Sequence, residues 1–394
     1  MLKKRKIFDI LAKYADSREV IVVTGFRRVG KTSVLRHIFD KTKTSNKIFL
    51  DLESPVNQRV FAESNYDNIK SALSRLGINF KQKSFIFLDE IQNVKNLPSV
   101  VKYLFDHNDI KFYLTGSSSF YLKNLFSESL SGRKFIFELY PLDFEEFLWF
   151  KDQKISLSAG YDRLSGLYRE YLDYGGFPGV VLEDSADRKV LKLDDVLGSY
   201  FQIDVKNLAG FRDNDNLKKL LFLLGSRVGG KPEIGKLAET LSVSRQTAYQ
   251  YLNFFEQTYL IHLLRPLSGS KDVQIKVMPK LYFCDTGILN RLGQISPGQL
   301  FENKIFNQFF VRETYRRGAA DYLKDKVNYY QEKSGAEIDF VVGKTGYEVK
   351  LTAGKSDVRK LQKIAARIGL AATKVVSLNK VANPSPIIIY PFGL

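Results

Sequence analysis

Gly25, Gly30, Lys31 and Thr32 stand at the spacing GxxxxGK[ST], within a stretch from Glu19 to Ser33 that reads EVIVVTGFRRVGKTS. Glycines let a backbone turn wrap closely round a phosphate, whose charge is favoured at the N-terminus of the helix that follows. The lysine of such a loop reaches the β- and γ-phosphates, and the hydroxyl after it ligates Mg²⁺. The segment Gly25, Phe26, Arg27, Arg28, Val29, Gly30, Lys31, Thr32 and Ser33 is therefore expected to hold a nucleoside triphosphate. A second acidic element, SFIFLDE, ends in Asp89 and Glu90. There Asp89 would hold the Mg²⁺ through water, and Glu90 fits a general base that polarises the attacking water. A third apolar run, IKFYLTGSSS, ends on hydroxyls at Thr115, Ser117, Ser118 and Ser119. Thr115 and Ser117 are the favoured contacts to the γ-phosphate or its water. Arg133, in SGRKFIFELY, suits either a finger on the developing phosphate charge or a surface salt bridge.

Residues 329–351, YYQEKSGAEIDFVVGKTGYEVKL, hold a second candidate site. If Gly343 to Gly346 is a four-residue loop, Val342 pairs with Tyr347 and Asp339 lies opposite Lys350. Alternation then puts Asp339, Val341, Glu348 and Lys350 on one face. Asp339 and Glu348 would ligate Mg²⁺ or Mn²⁺, and Lys350 would position or activate a water at a scissile phosphate. Glu302, on the helical segment LFENKIFNQFFVRE, could complete the cluster. A third constellation is polar: Arg245, Gln246, Tyr249, Gln250 and Asn253 share the outer face of a helix whose inner face is Ala248, Tyr251, Leu252 and Phe255. Arg, Gln and Asn suit base edges in a major groove.

These residues need elements to position them. Val20 to Val23 and Phe85 to Leu88 are unbroken apolar runs, the pattern of strands buried on both faces of a parallel sheet. Helical spacing starts after Ser33. Between Pro141 and Lys192 the pattern is again helical, with the aromatics Phe147, Trp149 and Phe150 read as core, until EYLDYGGFPGV interrupts it. Ile234, Leu237, Ala238 and Leu241 space a short helix, Ser244 is placed to cap a second, and Leu260 to Leu264 reads as a strand. That succession reads as a winged helix-turn-helix, serving DNA or, alternatively, protein packing. The boundaries expected are 1–140 for a nucleotide-binding core, 141–212 for a helical lid and linker, 213–268 for the winged helix, and 269–394 for a C-terminal α/β domain.

The loop GFRRVGKTS, the pair LDEIQ, the run LTGSSS and the segment SGRKFIFELYPLDFEEF, in that order, resemble prokaryotic AAA+-type ATPases of the AAA_14 family, which usually carry a C-terminal DUF4143 region. The resemblance implies an additional-strand, catalytic-glutamate P-loop core and ATP as the nucleotide. It also implies that residues 141–212 form a lid moving with nucleotide state. PKLYFCDTGILNRL resembles a DUF4143 segment, and SYFQIDVKNLAG, around Asp204, matches the family without offering chemistry. Asp339, Glu348, Lys350 and Glu302 resemble the D…ExK residues and helical glutamate of the PD-(D/E)xK nuclease fold, with Ile338 where a proline is usual. This implies a restriction-endonuclease-like domain, intact or degenerate.

Composition narrows the partners. The chain has 394 residues, 60 Lys and Arg against 43 Asp and Glu, and a formal charge of +17. Such an excess favours an anionic partner, with DNA the first candidate. One cysteine, Cys284, excludes a disulfide framework and an all-cysteine metal site. No window approaches a membrane span, and a cytoplasmic location is expected. Three readings compete: an ATPase whose state positions a DNA-binding module and a Mg²⁺-dependent nuclease; an ATP-driven switch that binds without cutting; and a scaffold that hydrolysis resets as a homo-oligomer.

Overall fold

The computed structural model describes residues 2–63, 65–116, 130–206, 214–319, 327–332 and 334–394. Five apolar runs form one parallel sheet: β1 (Val20–Thr24), β2 (Lys47–Asp51), β3 (Ser84–Asp89), β4 (Ile110–Gly116) and β5 (Lys134–Glu138). Their spatial order is β2-β3-β4-β1-β5. All five residues of β1 are buried, because alternate side chains enter different cores. Ile21 and Val23 join one cluster with Phe87, Tyr113 and Phe137. Val20 and Val22 join another with Ile86, Leu88, Phe112 and Leu114. Burial on both faces is why these strands read as continuous apolar runs. The order also inserts β4 between the strand that ends in the glycine loop and the strand that ends in Asp89, which is the additional strand implied by the family resemblance.

Helices follow. Phe144–Phe150 opens on a capping box, Asp143 accepting from the Glu146 N–H. Tyr161–Tyr174, Pro178–Val181 and Ala186–Ser199 come next, the last running into a π-helical turn at Tyr200–Val205. Ile234–Thr240 and Arg245–Gln257 form where expected, and the Ser244 hydroxyl accepts from the Thr247 N–H at 3.0 Å. β6 (Ile261–Leu264) then pairs antiparallel with β7 (Lys280–Phe283), so the boundary expected at 268 runs through a two-stranded ladder.

The C-terminal sheet is mixed. Helix Pro297–Arg317 precedes β8 (Asn328–Gln331), β9 (Glu337–Val342) and β10 (Thr345–Lys350), which are antiparallel neighbours. Helix Lys355–Arg367 crosses to β11 (Ala372–Ser377), parallel to β10, and β12 (Ile388–Ile389) completes the order β12-β11-β10-β9-β8.

Two motifs without assigned chemistry lock these regions together. The buried Asp285 carboxylate accepts from Gly176 N at 2.7 Å and from Gly287 N at 2.8 Å, with Lys304 Nζ at 3.9 Å. A Cβ on Gly175 would collide with that carboxylate, and one on Gly287 with the Tyr174 carbonyl. The double glycine of EYLDYGG and the CDTG of the later segment are thus two halves of one close approach. Truncating one partner of a buried charge pair leaves the other unpaired, so Asp285→Ala should lose roughly 3–5 kcal/mol of stability. Asp285→Asn, which keeps an acceptor, should lose less. Denaturant titration of both variants checks this, and equal losses would show that hydrogen bonding is not what Asp285 contributes.

Candidate nucleotide site and acidic cluster

The glycine loop leaves β1 at its C-terminal end, where left-handed backbone is required at Gly30 (φ 101°) and adopted by Arg28 (φ 65°). Gly25 has no room for a Cβ, which would strike the Leu139 carbonyl of the chain following β5. Lys31, only 4% exposed, is the first residue of helix Lys31–Lys41. Its Nζ donates to the carbonyls of Gly25 and Phe26, both at 3.0 Å. Burial pulls the ammonium below the ordinary lysine value, while Glu90, Asp204 and Asp89 act in the other direction.

Asp89 ends β3 beside β4. Burial pushes its carboxyl up, and hydrogen bonds from the Thr115 and Thr32 hydroxyls oppose that rise. Thr115 also accepts from the Glu90 N–H at 3.3 Å. Glu90 sits in left-handed backbone (φ 52°), and its carboxylate takes a hydrogen bond from the Gln92 side chain. Lys31, Thr32, Asp89, Glu90 and Thr115 are therefore brought together by the C-terminal edges of β1, β3 and β4. Ser117 lies outside the described residues. The donor set fits a magnesium–triphosphate: an inward lysine, a hydroxyl and a carboxylate sharing one hydrogen bond, and a turn pressed too close for side chains at Gly25.

Arg133 is elsewhere. It precedes β5, its carbonyl accepting from Val20 N at the start of β1, so it lies a strand length, about 15 Å, from the loop. Its guanidinium donates to Asp106 at 2.8 Å, both side chains about one-third exposed. Within the chain it is a surface salt bridge and not a phosphate finger.

Composition and spacing did not single out two residues and a cavity that matter here. Arg5 is buried and donates to Glu146 Oε1 (3.0 Å), the Val29 carbonyl (2.9 Å) and the Tyr140 carbonyl (2.8 Å), tying the glycine loop to the capping box. Asp204 pairs with Arg27 at 2.7 Å. Beside Gly30 and Ser33, Phe8, Val34, Phe150, Pro178 and Leu182, with Lys3 and Arg5, line a cavity of ≈ 170 Å³.

The second site differs from expectation in register and in partners. Val342 pairs with Thr345 across a two-residue turn, Gly343 and Lys344, and Tyr347 pairs with Phe340. Continued, that register sets Asp339 across from Glu348 instead of Lys350. Because the slip is two residues, Asp339, Val341, Glu348 and Lys350 still share a face. Asp339 accepts from the Val349 N–H at 2.8 Å, and Glu348 pairs with Lys350 at 2.7 Å. Glu302 accepts from the Tyr282 hydroxyl at 2.6 Å, with Lys280 Nζ 3.8 Å away. Lys280, 5% exposed, also pairs with Glu337. Among the described residues no three His, Cys, Asp or Glu side chains are grouped to hold a metal ion. The metal-ligand roles expected for Asp339, Glu348 and Glu302 are not met by this grouping, in which Lys350 pairs with Glu348 and Lys280 lies beside Glu302.

Residues 17–148 match an AAA domain (AAA_14), residues 297–390 a domain of unknown function, DUF4143, and residues 165–299 another, DUF8612. PKLYFCDTGI thus falls in the DUF8612 match instead of the DUF4143 region. A nucleotide-type loop on a five-stranded parallel sheet, within an AAA match, defines a P-loop ATPase. An uncharacterized protein of Methanocaldococcus jannaschii is 30% identical over 353 residues, covering 86% of this chain and 76% of that protein. The chain belongs to the family of that protein. An uncharacterized protein of Haemophilus influenzae is 28% identical over 87% of this chain and 84% of its own length. Among solved structures, the Walker-type ATPase PABY2304 of Pyrococcus abyssi is similar at a TM-score of 0.48 and 13% identity, covering 74% of this chain and 96% of that one.

Burial, then the neighbouring Asp339, pushes the Glu302 carboxyl up to about 7 from an ordinary 4.5, with Lys280 and Tyr282 opposing. A carboxyl whose folded value is raised takes up a proton on folding, so stability is greatest below about pH 4.5 and is lost as pH rises toward 7. The stability of the wild type minus that of Glu302→Gln should therefore fall between pH 5 and pH 7.5 in denaturant titrations. A flat difference would mean that Glu302 stays ionised.

Proposed function

We propose that this chain hydrolyses ATP and uses the nucleotide's presence to gate a DNA-binding surface. The observation that carries the reading is the convergence of Lys31, Thr32, Asp89, Glu90 and Thr115 on one sheet edge. The apolar cavity beside Gly30 would receive the adenine, with Gly25 to Ser33 along the phosphates. Thr32 and Asp89 would hold Mg²⁺, which when bound neutralises charge on the β- and γ-phosphate oxygens. Glu90 takes the proton of a water whose oxygen attacks the γ-phosphorus. The bond to the β–γ bridging oxygen breaks, leaving ADP and phosphate. Thr115 orients Asp89 and the backbone of Glu90.

The DNA part rests on charge and exposure. Arg245, Gln246, Tyr249, Gln250 and Asn253 are all exposed on helix Arg245–Gln257, and the β6–β7 ladder would serve as its wing. Lys355, Arg359, Lys363 and Arg367, exposed at i, i+4 spacing, add a basic stripe on the crossover helix Lys355–Arg367. Like charges at that spacing cost helix stability, and a phosphate backbone would offset the cost. The order of helix, three antiparallel strands, helix and parallel strand, with Asp339, Glu348 and Lys350 on one face, supports a nuclease-like ancestry. The pairing of Lys350 with Glu348, and of Lys280 with the neighbouring Glu302 and Glu337, favours a form that binds without cutting.

Purified wild type should show Mg²⁺-dependent ATPase activity. Glu90→Gln should keep ATP binding and lose about 10²-fold or more in kcat, and Lys31→Ala should lose binding. Duplex binding should weaken with salt, and Arg359→Glu with Lys363→Glu should lower the log–log slope by about 2. ATPase-inactive wild type, or a slope indifferent to those residues, would overturn the corresponding half. Mg²⁺- or Mn²⁺-dependent plasmid nicking abolished by Asp339→Ala would reinstate the cutting form.

A further inference from the structure

At the end of helix Lys31–Lys41 remote from the phosphate loop, a cavity of ≈ 320 Å³ opens between that helix, the N-terminal helix Lys6–Ala12 and the sheet. It lies about 15 Å from Lys31, the length of the helix at 1.5 Å per residue, and takes no part in the hydrolysis described above. Phe8 alone is shared with the smaller cavity beside Gly30. The volume falls in the range of small-molecule sites, roughly 300–1,000 Å³. Phe8, Leu11, Ile38 and Phe85 make its walls apolar. Tyr113, midway along β4, also lines it although the residue is only 2% exposed. The Tyr113 ring stacks on Phe87 at 4.7 Å, but its hydroxyl has no hydrogen-bond partner among the described residues. Burial, and then the charge of Asp16, push that hydroxyl up to about 12, so it stays neutral. Asp16 lines the same cavity and is exposed, and its carboxylate joins no hydrogen bond or ion pair among the described residues. The turn carrying Asp16 is held from beneath. Buried Lys111, two residues before Tyr113, donates to the carbonyls of Tyr14 at 3.1 Å, Ser17 at 2.6 Å and Glu19 at 2.8 Å. An ammonium has three hydrogens to donate, so Lys111 is committed to the turn and Asp16 is left to face the cavity.

We propose that this cavity binds a small ligand with an apolar body and an ammonium group, the body against Phe8, Leu11, Ile38 and Phe85 and the ammonium between Asp16 and the Tyr113 hydroxyl. The buried phenol oxygen accepts one ammonium hydrogen, which supplies the partner that the fold does not. Asp16 attracts the ammonium and repels a ligand whose polar end is a carboxylate. Apolar amines and apolar amino acids share this chemistry, and Lys41 separates them. It lines the cavity from the end of its helix, forms no ion pair among the described residues, and would meet the carboxylate of an amino acid. His37, the remaining titratable group of the lining, stacks on Phe8 at 3.9 Å. Burial and then Lys41 hold it below its ordinary value, so at neutral pH it sets no positive charge against the ligand.

Calorimetry on the full chain without nucleotide tests this independently of the ATPase reading. Phenethylamine should bind saturably. Methylamine, which lacks the body, and hydrocinnamate, which lacks the ammonium, should bind about 10-fold or more weakly. Asp16→Asn, at an exposed position, should weaken phenethylamine about 10-fold or more, as loss of a charge-assisted contact does. Tyr113→Phe keeps the ring on Phe87 and should weaken it about 3-fold or more without lowering the melting temperature, because the hydroxyl bonds nothing in the fold. L-phenylalanine binding more tightly than phenethylamine, with the difference removed by Lys41→Gln, supports the inference with amino acids as the ligand class. The reverse order supports it with amines. Absence of saturable binding by both overturns it. So does hydrocinnamate binding as tightly as phenethylamine, or phenethylamine affinity indifferent to Asp16→Asn, and these outcomes stand even if Tyr113→Phe does not fold.

Discussion

Four cations crowd the turn at the C-terminal end of β1, and the fold depends on how each is answered. Lys31 turns back on two carbonyls of its own loop. Arg5 spans the Val29 carbonyl and Glu146, Arg27 takes Asp204, and Arg28 takes Asp195. Each answer comes from a different element, so compensating the loop's charge also assembles the helices over it. Glu146 does two jobs at once, closing the capping box of Phe144–Phe150 and holding Arg5. Three of the four, Lys31, Arg5 and Arg27, are largely buried, and such charges are costly unless fully partnered. That requirement makes the loop's surroundings specific in a way that apolar packing alone would not.

What was legible in the sequence follows period and spacing. β1, β3 and β4 were readable because burial on both faces forces unbroken apolar runs, and the loop because its glycines are demanded by backbone geometry. The helix Arg245–Gln257 was readable because its buried and exposed faces alternate at 3.6 residues. The hairpin was half legible: alternation fixed which side chains share a face, but nothing in GKTG distinguishes a two-residue from a four-residue turn. The pairing therefore slid by two residues without changing the face.

Other features were not legible because they join residues far apart in the chain. Arg5 is one of four basic residues among the first six, and only Glu146 and the Val29 and Tyr140 carbonyls, all distant in sequence, single it out. Lys280 reads as a solvated lysine until β7 delivers it between Glu302 and Glu337. Asp204 belongs to a motif that periodicity describes as an ordinary helix end. For Arg133 two readings stood open, a phosphate finger and a surface salt bridge, and strand polarity decides between them: a parallel strand begins at the edge remote from the loop, where Arg133 pairs with Asp106.

Helix Pro297–Arg317 explains how the two ends of the molecule are joined. Residues 303–309 are buried without interruption, so the helix is surrounded and not amphipathic. Glu302 faces the acidic cluster, Asn303 bonds the Phe283 backbone in both directions, and Lys304 meets Asp285. Gln308 accepts from the Tyr168 hydroxyl, and Tyr315 lies within electrostatic reach of Arg5. A strut enclosed in this way cannot bend locally without unpairing polar groups on several sides. A nucleotide-driven change would therefore cross the molecule in one of two ways, by moving this helix as a unit or by leaving it fixed and moving the partly exposed helix Ala186–Ser199 against it. The second requires far less buried polar surface to be broken, and it is the route that Arg27 and Asp204 touch directly.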